Sequence, residues 1–205
     1  FNLDANWKFH LGETETKDEN GHAQSYALCK AGGAVGAAGR DYDDGGWTAV
    51  DLPHDYFAGS GFSPDNLLSH GYRYRENAWY RKYFSIDEKY KGKHILLCFE
   101  GTAVNAEFYV NGSLLAHSFS AYVETPLDIT DRVQFGEFSN NVISVHINGL
   151  ATEGWWYEGA GIYRHVKLYI KEPVHISHNG VFVKTVKNDD AWTVCVETEV
   201  ENSSY

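Results

Sequence analysis

No stretch of this 205-residue sequence approaches the roughly 18 consecutive apolar residues that a membrane-crossing helix requires. A membrane span is not expected, and the chain reads as globular. Positive charge is also scarce. Lys and Arg number 17 against 28 Asp and Glu, a formal charge of -11, which repels a phosphate backbone and removes the attraction that non-specific nucleic-acid binding depends on. Nucleic acid is therefore not an expected partner. Cysteines are few: Cys29, Cys98 and Cys195 are odd in number and far apart, and the last two fall in strand-like runs. They read as small buried hydrophobes, not as a disulfide framework or a metal cluster. No secretory leader is visible at Phe1. A leader already removed would leave the same sequence, so the compartment stays open, with a periplasmic or secreted location favoured over the cytoplasm.

Long helical periodicity is missing too, and alternation with period two stands in its place. Ile162, Val166, Leu168 and Ile170 alternate with Tyr163, His165, Lys167 and Tyr169, the mark of a half-buried strand. Trp192, Val194, Val196, Thr198 and Val200 repeat the pattern against mostly polar neighbours. Further strands are expected over residues 79–86, 94–99, 107–110, 113–116 and 142–147. Asn111-Gly112 between two of them predicts a tight hairpin, because both turn positions need positive φ. Residues 30–39 are almost wholly Gly and Ala and read as a flexible surface loop. Residues 56–76 read as a long excursion of the kind that carries binding groups.

The pattern changes at Lys171-Glu172-Pro173, which sets a domain boundary. Residues 1–172 form one domain. Residues 173–205 are expected to supply three strands, near 174–177, 181–187 and 192–201, with Asn188-Asp189-Asp190 as a turn. An immunoglobulin-like sandwich needs about seven, so the second domain is expected to be truncated; a small hairpin packing back on the first domain is the alternative.

Eight segments in order now carry a resemblance: Trp7-Lys8-Phe9, Asp43-Asp44 with Trp47, residues 50–55, residues 79–82, Phe99-Glu100-Gly101, residues 109–112, Asp128-Ile129-Thr130 and residues 159–164. Together they resemble the N-terminal region of glycoside hydrolase family 2, the family of β-galactosidases and β-glucuronidases. The resemblance implies an all-β chain: a galactose-binding-domain-like jelly-roll β-sandwich followed by a partial immunoglobulin-like β-sandwich. It further implies a TIM barrel on the same polypeptide that carries two catalytic glutamates, a retaining pair about 5 Å apart. No catalytic residue is expected in these 205 residues.

The most distinctive stretch is residues 153–161, where Trp155, Trp156 and Tyr157 lie between Glu153 and Glu158. Aromatic faces stack on the C–H face of a pyranose and carboxylates accept hydrogen bonds from its hydroxyls. Glu153 and Trp155 are therefore the candidate substrate contacts; Trp155 stands where some family members place an aspartate that touches the sugar. Trp156, Tyr157, Glu158 and Arg164 are the candidate contacts to the barrel. Glu153 and Glu158 as a catalytic pair of their own is a weaker reading, since nothing near them suggests a raised pKa.

Other constellations are blander. His54-Asp55 reads as a structural corner rather than a dyad, because no nucleophile elbow accompanies it. Residues 41–46 imitate the start of a calcium loop, but Gly45 and Leu52 occupy ligand positions. No cofactor or metal site is expected, although a structural calcium held by backbone carbonyls stays open. His175 and His178, three apart on a strand, point to opposite faces and read as surface residues. Asn111 and Asn202 match glycosylation sequons without an assigned role. The expected role is a wall of the cleft for a β-linked terminal sugar that docks the barrel. A stand-alone carbohydrate-binding module and a part in homo-oligomer assembly are the competing readings.

Overall fold

The computed structural model describes residues 1–15, 22–151 and 158–204. Its strands are β1 (Trp7–Leu11), β2 (Thr48–Val50), β3 (Ala78–Phe84), β4 (His94–Phe99), β5 (Ala106–Val110), β6 (Ser113–Ser118), β7 (Thr125–Asp128), β8 (Asn141–Ile147), β9 (Val166–Lys171), β10 (Val174–Asn188) and β11 (Ala191–Asn202). A six-stranded antiparallel sheet, ordered β2-β1-β3-β8-β5-β6, faces a three-stranded one ordered β7-β4-β9. The N-terminus lengthens the smaller sheet, with Leu3 N donating to Val166 O and Leu168 N donating to Phe1 O.

Alternation decides the core. Ile95, Leu97 and Phe99 on β4 meet Ala78 and Tyr80 on β3, Phe108 and Val110 on β5, and Ile143, Val145 and Ile147 on β8, all in one buried cluster. Each large side chain so buried contributes about 1.5–3 kcal/mol. The Asn-Gly turn is as expected: Asn111 has φ 49° and Gly112 φ 77°, and Val110 pairs with Ser113. The Asn111 carboxamide is occupied, donating to Arg132 O and Asn141 Oδ1 and accepting from Val142 N.

Three expectations are corrected. A helix, α1 (His22–Lys30), is present; it has no acidic first turn and no clean apolar stripe, so periodicity does not reveal it. The Gly/Ala stretch 30–39 is a surface loop only in its first part: Ala31, Gly33 and Val35 are exposed, but Ala37 is 0% and Ala38 5% exposed and both pack on Trp79 and Tyr109. Small residues are needed there for close approach: a Cβ on Gly39 would lie 2.6 Å from Ala34 O, and one on Gly112 2.6 Å from Gly32 O.

What holds that stretch down is Arg81, fully buried on the outward face of β3. Its Nε donates to Asp44 Oδ2 at 2.8 Å, and Nη1 donates to Ala37 O, Gly39 O and Ser144 Oγ. Nη2 reaches Arg40 O and the Tyr83 hydroxyl, which itself donates to Asp44 at 2.9 Å. Asp44, one of three carboxylates in the calcium-like stretch, is thus engaged in an internal ion pair.

The third correction concerns the chain after Lys171. Two strands form, not three: β10 runs unbroken from Val174 to Asn188 with a register shift between Ile176 and Val181, and β11 pairs with it across a turn at Asp189, φ 47°. Val183, Val194 and Val196 are more than half exposed, so the ribbon is not a half-buried element of the described structure. Only its root touches the sandwich. There the His175 ring stacks on His94 at 4.7 Å, and its side chain is 7% exposed, so it is not a surface histidine.

Candidate functional site

The described residues on either side of the tryptophan-rich stretch, 149–151 and 158–163, are both held by the fold. On the upstream side Arg75 donates from Nε to Gly149 O at 3.0 Å and from Nη2 to Ala151 O at 2.5 Å. Gly149 has no room for a side chain, since a Cβ would collide with Glu76 O and the Tyr56 hydroxyl. Burial lowers the Arg75 pKa from its ordinary value while Glu158 and Tyr56 act in the other direction; Glu158 thus lies within electrostatic reach of the guanidinium.

On the downstream side the corner at residues 52–55 does the gripping. His54 N donates to Ile162 O at 2.8 Å and Tyr56 N to Ala160 O at 3.0 Å. Asp55 Oδ1 accepts from the amides of Phe57, Ala58 and Ala160. Gly159 (φ 71°) and Gly161 (φ 127°) sit in conformations that L residues avoid, and a Cβ on Gly159 would lie 2.7 Å from Asp55 Oδ2. His54 Nδ1 is 2.7 Å from the Tyr80 hydroxyl, and burial lowers the His54 pKa, with Asp55 opposing. The corner is structural, as expected, and its conformation explains the Gly-Ala-Gly spelling of the motif.

The expected site residues fare unequally. Glu153, Trp155, Trp156 and Tyr157 lie outside the described residues. Glu158 stands at the loop base beside Arg75, whereas Arg164 is exposed and packs elsewhere, on Gly101 and the Tyr163 ring. Two further features lie outside the expected site residues, the first within the excursion already expected over residues 56–76. The excursion 56–76 is built around Arg73, whose Nη1 donates to the carbonyls of Phe57, Ala58 and Ser60, and it presents Phe62 and Tyr72 outward. Across Tyr163, whose hydroxyl donates to Ala121 O, stand the exposed rings of Phe119 and Tyr122.

A second concave feature, of about 250 Å³, lies on the outer face of the large sheet between α1 and Trp79, Glu107, Tyr109 and His146. Its polar groups already satisfy one another: His146 Nε2 is 3.0 Å from Glu13 Oε1, and the Tyr109 hydroxyl donates to Glu107 at 2.7 Å. Trp79 and Tyr109 are each 7% exposed and offer no open ring face for a sugar.

The domain family described as glycosyl hydrolase 2 galactose-binding domain-like matches residues 49–188. The chain belongs to glycoside hydrolase family 2. It is 30% identical over 195 residues to a β-galactosidase of Bacteroides ovatus, spanning 94% of this chain and 20% of that protein. A β-glucuronidase of Formosa agariphila is 28% identical over 191 residues, covering 79% and 19% respectively. The crystal structure of a β-glycosidase from Bacteroides vulgatus superimposes with a TM-score of 0.82 at 29% identity, over 98% of this chain and 24% of that one. The chain therefore corresponds to the galactose-binding-like N-terminal portion of family 2 glycosidases and spans about a fifth to a quarter of the length of these relatives.

Proposed function

We propose that this chain is the non-catalytic N-terminal part of a β-glycosidase, β-galactosidase-like, whose barrel hydrolyses terminal β-linked sugars with retention. Residues 1–172 form the jelly roll, and residues 173–205 open an immunoglobulin-like domain. The observation that carries the reading is the double grip on the flanks of the tryptophan-rich stretch: Arg75 holds Gly149 and Ala151 upstream, and Asp55 holds Ala160 downstream. Preorganising a loop that must meet another domain reduces the ordering entropy lost on docking. Glu153 and Trp155 contact the sugar; Trp156, Tyr157, Glu158 and Arg164 contact the barrel, and the exposed Phe62, Tyr72, Phe119 and Tyr122 widen that docking face.

Two measurements test this. The 205-residue chain is expected to be inactive on aryl β-glycosides, and clear turnover would refute the assignment. In a longer polypeptide that includes the barrel, Trp155→Ala is expected to lower kcat/KM, and an unchanged value removes Trp155 from the cleft. Millimolar or tighter binding of galactose, glucuronate or a β-linked oligosaccharide by the 205-residue chain in calorimetry would replace the wall with an independent binding module.

A further inference from the structure

Where the ribbon's root crosses the smaller sheet, three donors from three separate elements converge. Cys98 Sγ, on β4, lies 3.5 Å from Glu124 Oε2 just before β7, and Glu124 Oε1 is 2.8 Å from His178 Nε2 in the irregular part of β10. All three ligand atoms lie within 4.8 Å of one another. We propose that Cys98, Glu124 and His178 form a binding site for a Zn²⁺-class divalent cation that pins the ribbon to the sandwich.

Three physical arguments support it. First, one thiolate and one carboxylate neutralise a divalent charge, and the S/N/O set suits a borderline cation such as zinc. Bond lengths of about 2.0–2.3 Å imply tetrahedral edges of about 3.3–3.8 Å; the 3.5 Å from Cys98 Sγ to Glu124 Oε2 fits such an edge, while His178, now on the other carboxylate oxygen, must exchange that hydrogen bond for the cation. The fourth position falls to water. Second, the backbone spends a local irregularity on aiming His178. The register shifts between Ile176 and Val181, Asn179 adopts φ 59°, and Gly180 is closely approached, since a Cβ there would lie 2.7 Å from Ser177 Oγ and 3.1 Å from Glu199 O. An uninterrupted ladder would not need this. Third, the thiol is available and already faces the carboxylate: Cys29, Cys98 and Cys195 are all unbridged, and Cys98 is buried with its Sγ directed at Glu124.

The charges facing the site are accounted for. Lys167, on the neighbouring strand, is engaged by Glu100, and Asn179 donates to the same Glu124 oxygen as His178. Binding breaks the Cys98 S–H bond and forms an S–metal bond, releasing one proton to solvent; the Asn179 and His178 hydrogen bonds to Glu124 give way to metal–oxygen and metal–nitrogen bonds.

The test is a Co²⁺ titration of the protein carrying Cys29→Ala and Cys195→Ala, so that Cys98 is its single thiol. The expected result is one equivalent bound with a thiolate-to-cobalt charge-transfer band, displaced by Zn²⁺, and a Tm that rises with Zn²⁺. Cys98→Ala and His178→Ala should each abolish the band, and His178, on the exposed ribbon, can be changed without touching the sandwich core. Absence of the band at millimolar Co²⁺, or a band that survives His178→Ala, overturns the proposal. Neither result bears on the glycosidase reading, which uses none of these residues.

Discussion

Replacing Arg81 by methionine keeps an apolar stem of similar length and removes the guanidinium that ties residues 37–44 to the large sheet. Asp44, 8% exposed, would keep a charge with only the Tyr83 hydroxyl to serve it, and the carbonyls of Ala37 and Gly39 would lose their donor. Breaking a buried ion pair by removing one partner costs about 3–5 kcal/mol, because the remaining charge stays out of water. For a chain of this size each kcal/mol moves Tm by about 2–4 °C. The expected drop is therefore about 6–20 °C, read by thermal denaturation and by the urea midpoint at constant m. Asp44→Asn placed on top of Arg81→Met should restore part of the loss, since it removes the stranded charge. A loss below about 1 kcal/mol for Arg81→Met would refute the claim that this network closes the outer face of the sheet.

Gly161→Ala should cost about 2–3 kcal/mol, from its φ of 127° and the contact with His54 O and the Tyr80 hydroxyl, whereas Gly46→Ala, with nothing within 4 Å, should be neutral within about 0.5 kcal/mol in urea unfolding. Burial lowers the His54 pKa in the folded state, so protonation favours unfolding: its contribution is fully present above the unfolded value of about 6.5 and is lost as pH falls below it. His54→Asn should flatten the Tm–pH curve below about pH 6.5; an unchanged slope assigns that dependence to other groups. Burial raises the Asp4 pKa, but hydrogen bonds from Val166 N, Asn2 and His165 outweigh it and leave it lowered, so its contribution is present above the ordinary carboxylate range and lost as pH falls through the folded value. Asp4→Asn should cost about 1–2 kcal/mol at pH 7 and reduce acid sensitivity, measured by chemical denaturation at pH 7 and pH 3.

Local signals were legible where the physics is local. The Asn111-Gly112 turn needs only two residues to declare itself, and the strand of residues 166–171 shows its buried face through Val166 and Leu168. The His54-Asp55 corner was correctly read as structural, although its partners, Ala160 and Ile162, lie more than a hundred positions away. The end of the stretch 30–39, residues 37–39, was misread because a Gly/Ala composition has two physical meanings, flexibility and close approach, and Arg81 beneath it selects the second there. His178 was misread because simple alternation cannot anticipate the shift between Ile176 and Val181.

By itself the sequence determined the all-β class, the hairpin turns and the family, since periodicity, turn chemistry and an ordered set of short motifs are each written in neighbouring residues. Tertiary structure alone decided which polar groups meet: Asp44 with Arg81 and Ser144, Arg75 with Gly149 and Ala151, Cys98 with Glu124 and His178. Those groups are brought together by strand order and register, which sum over the whole chain, so no local window of sequence contains them.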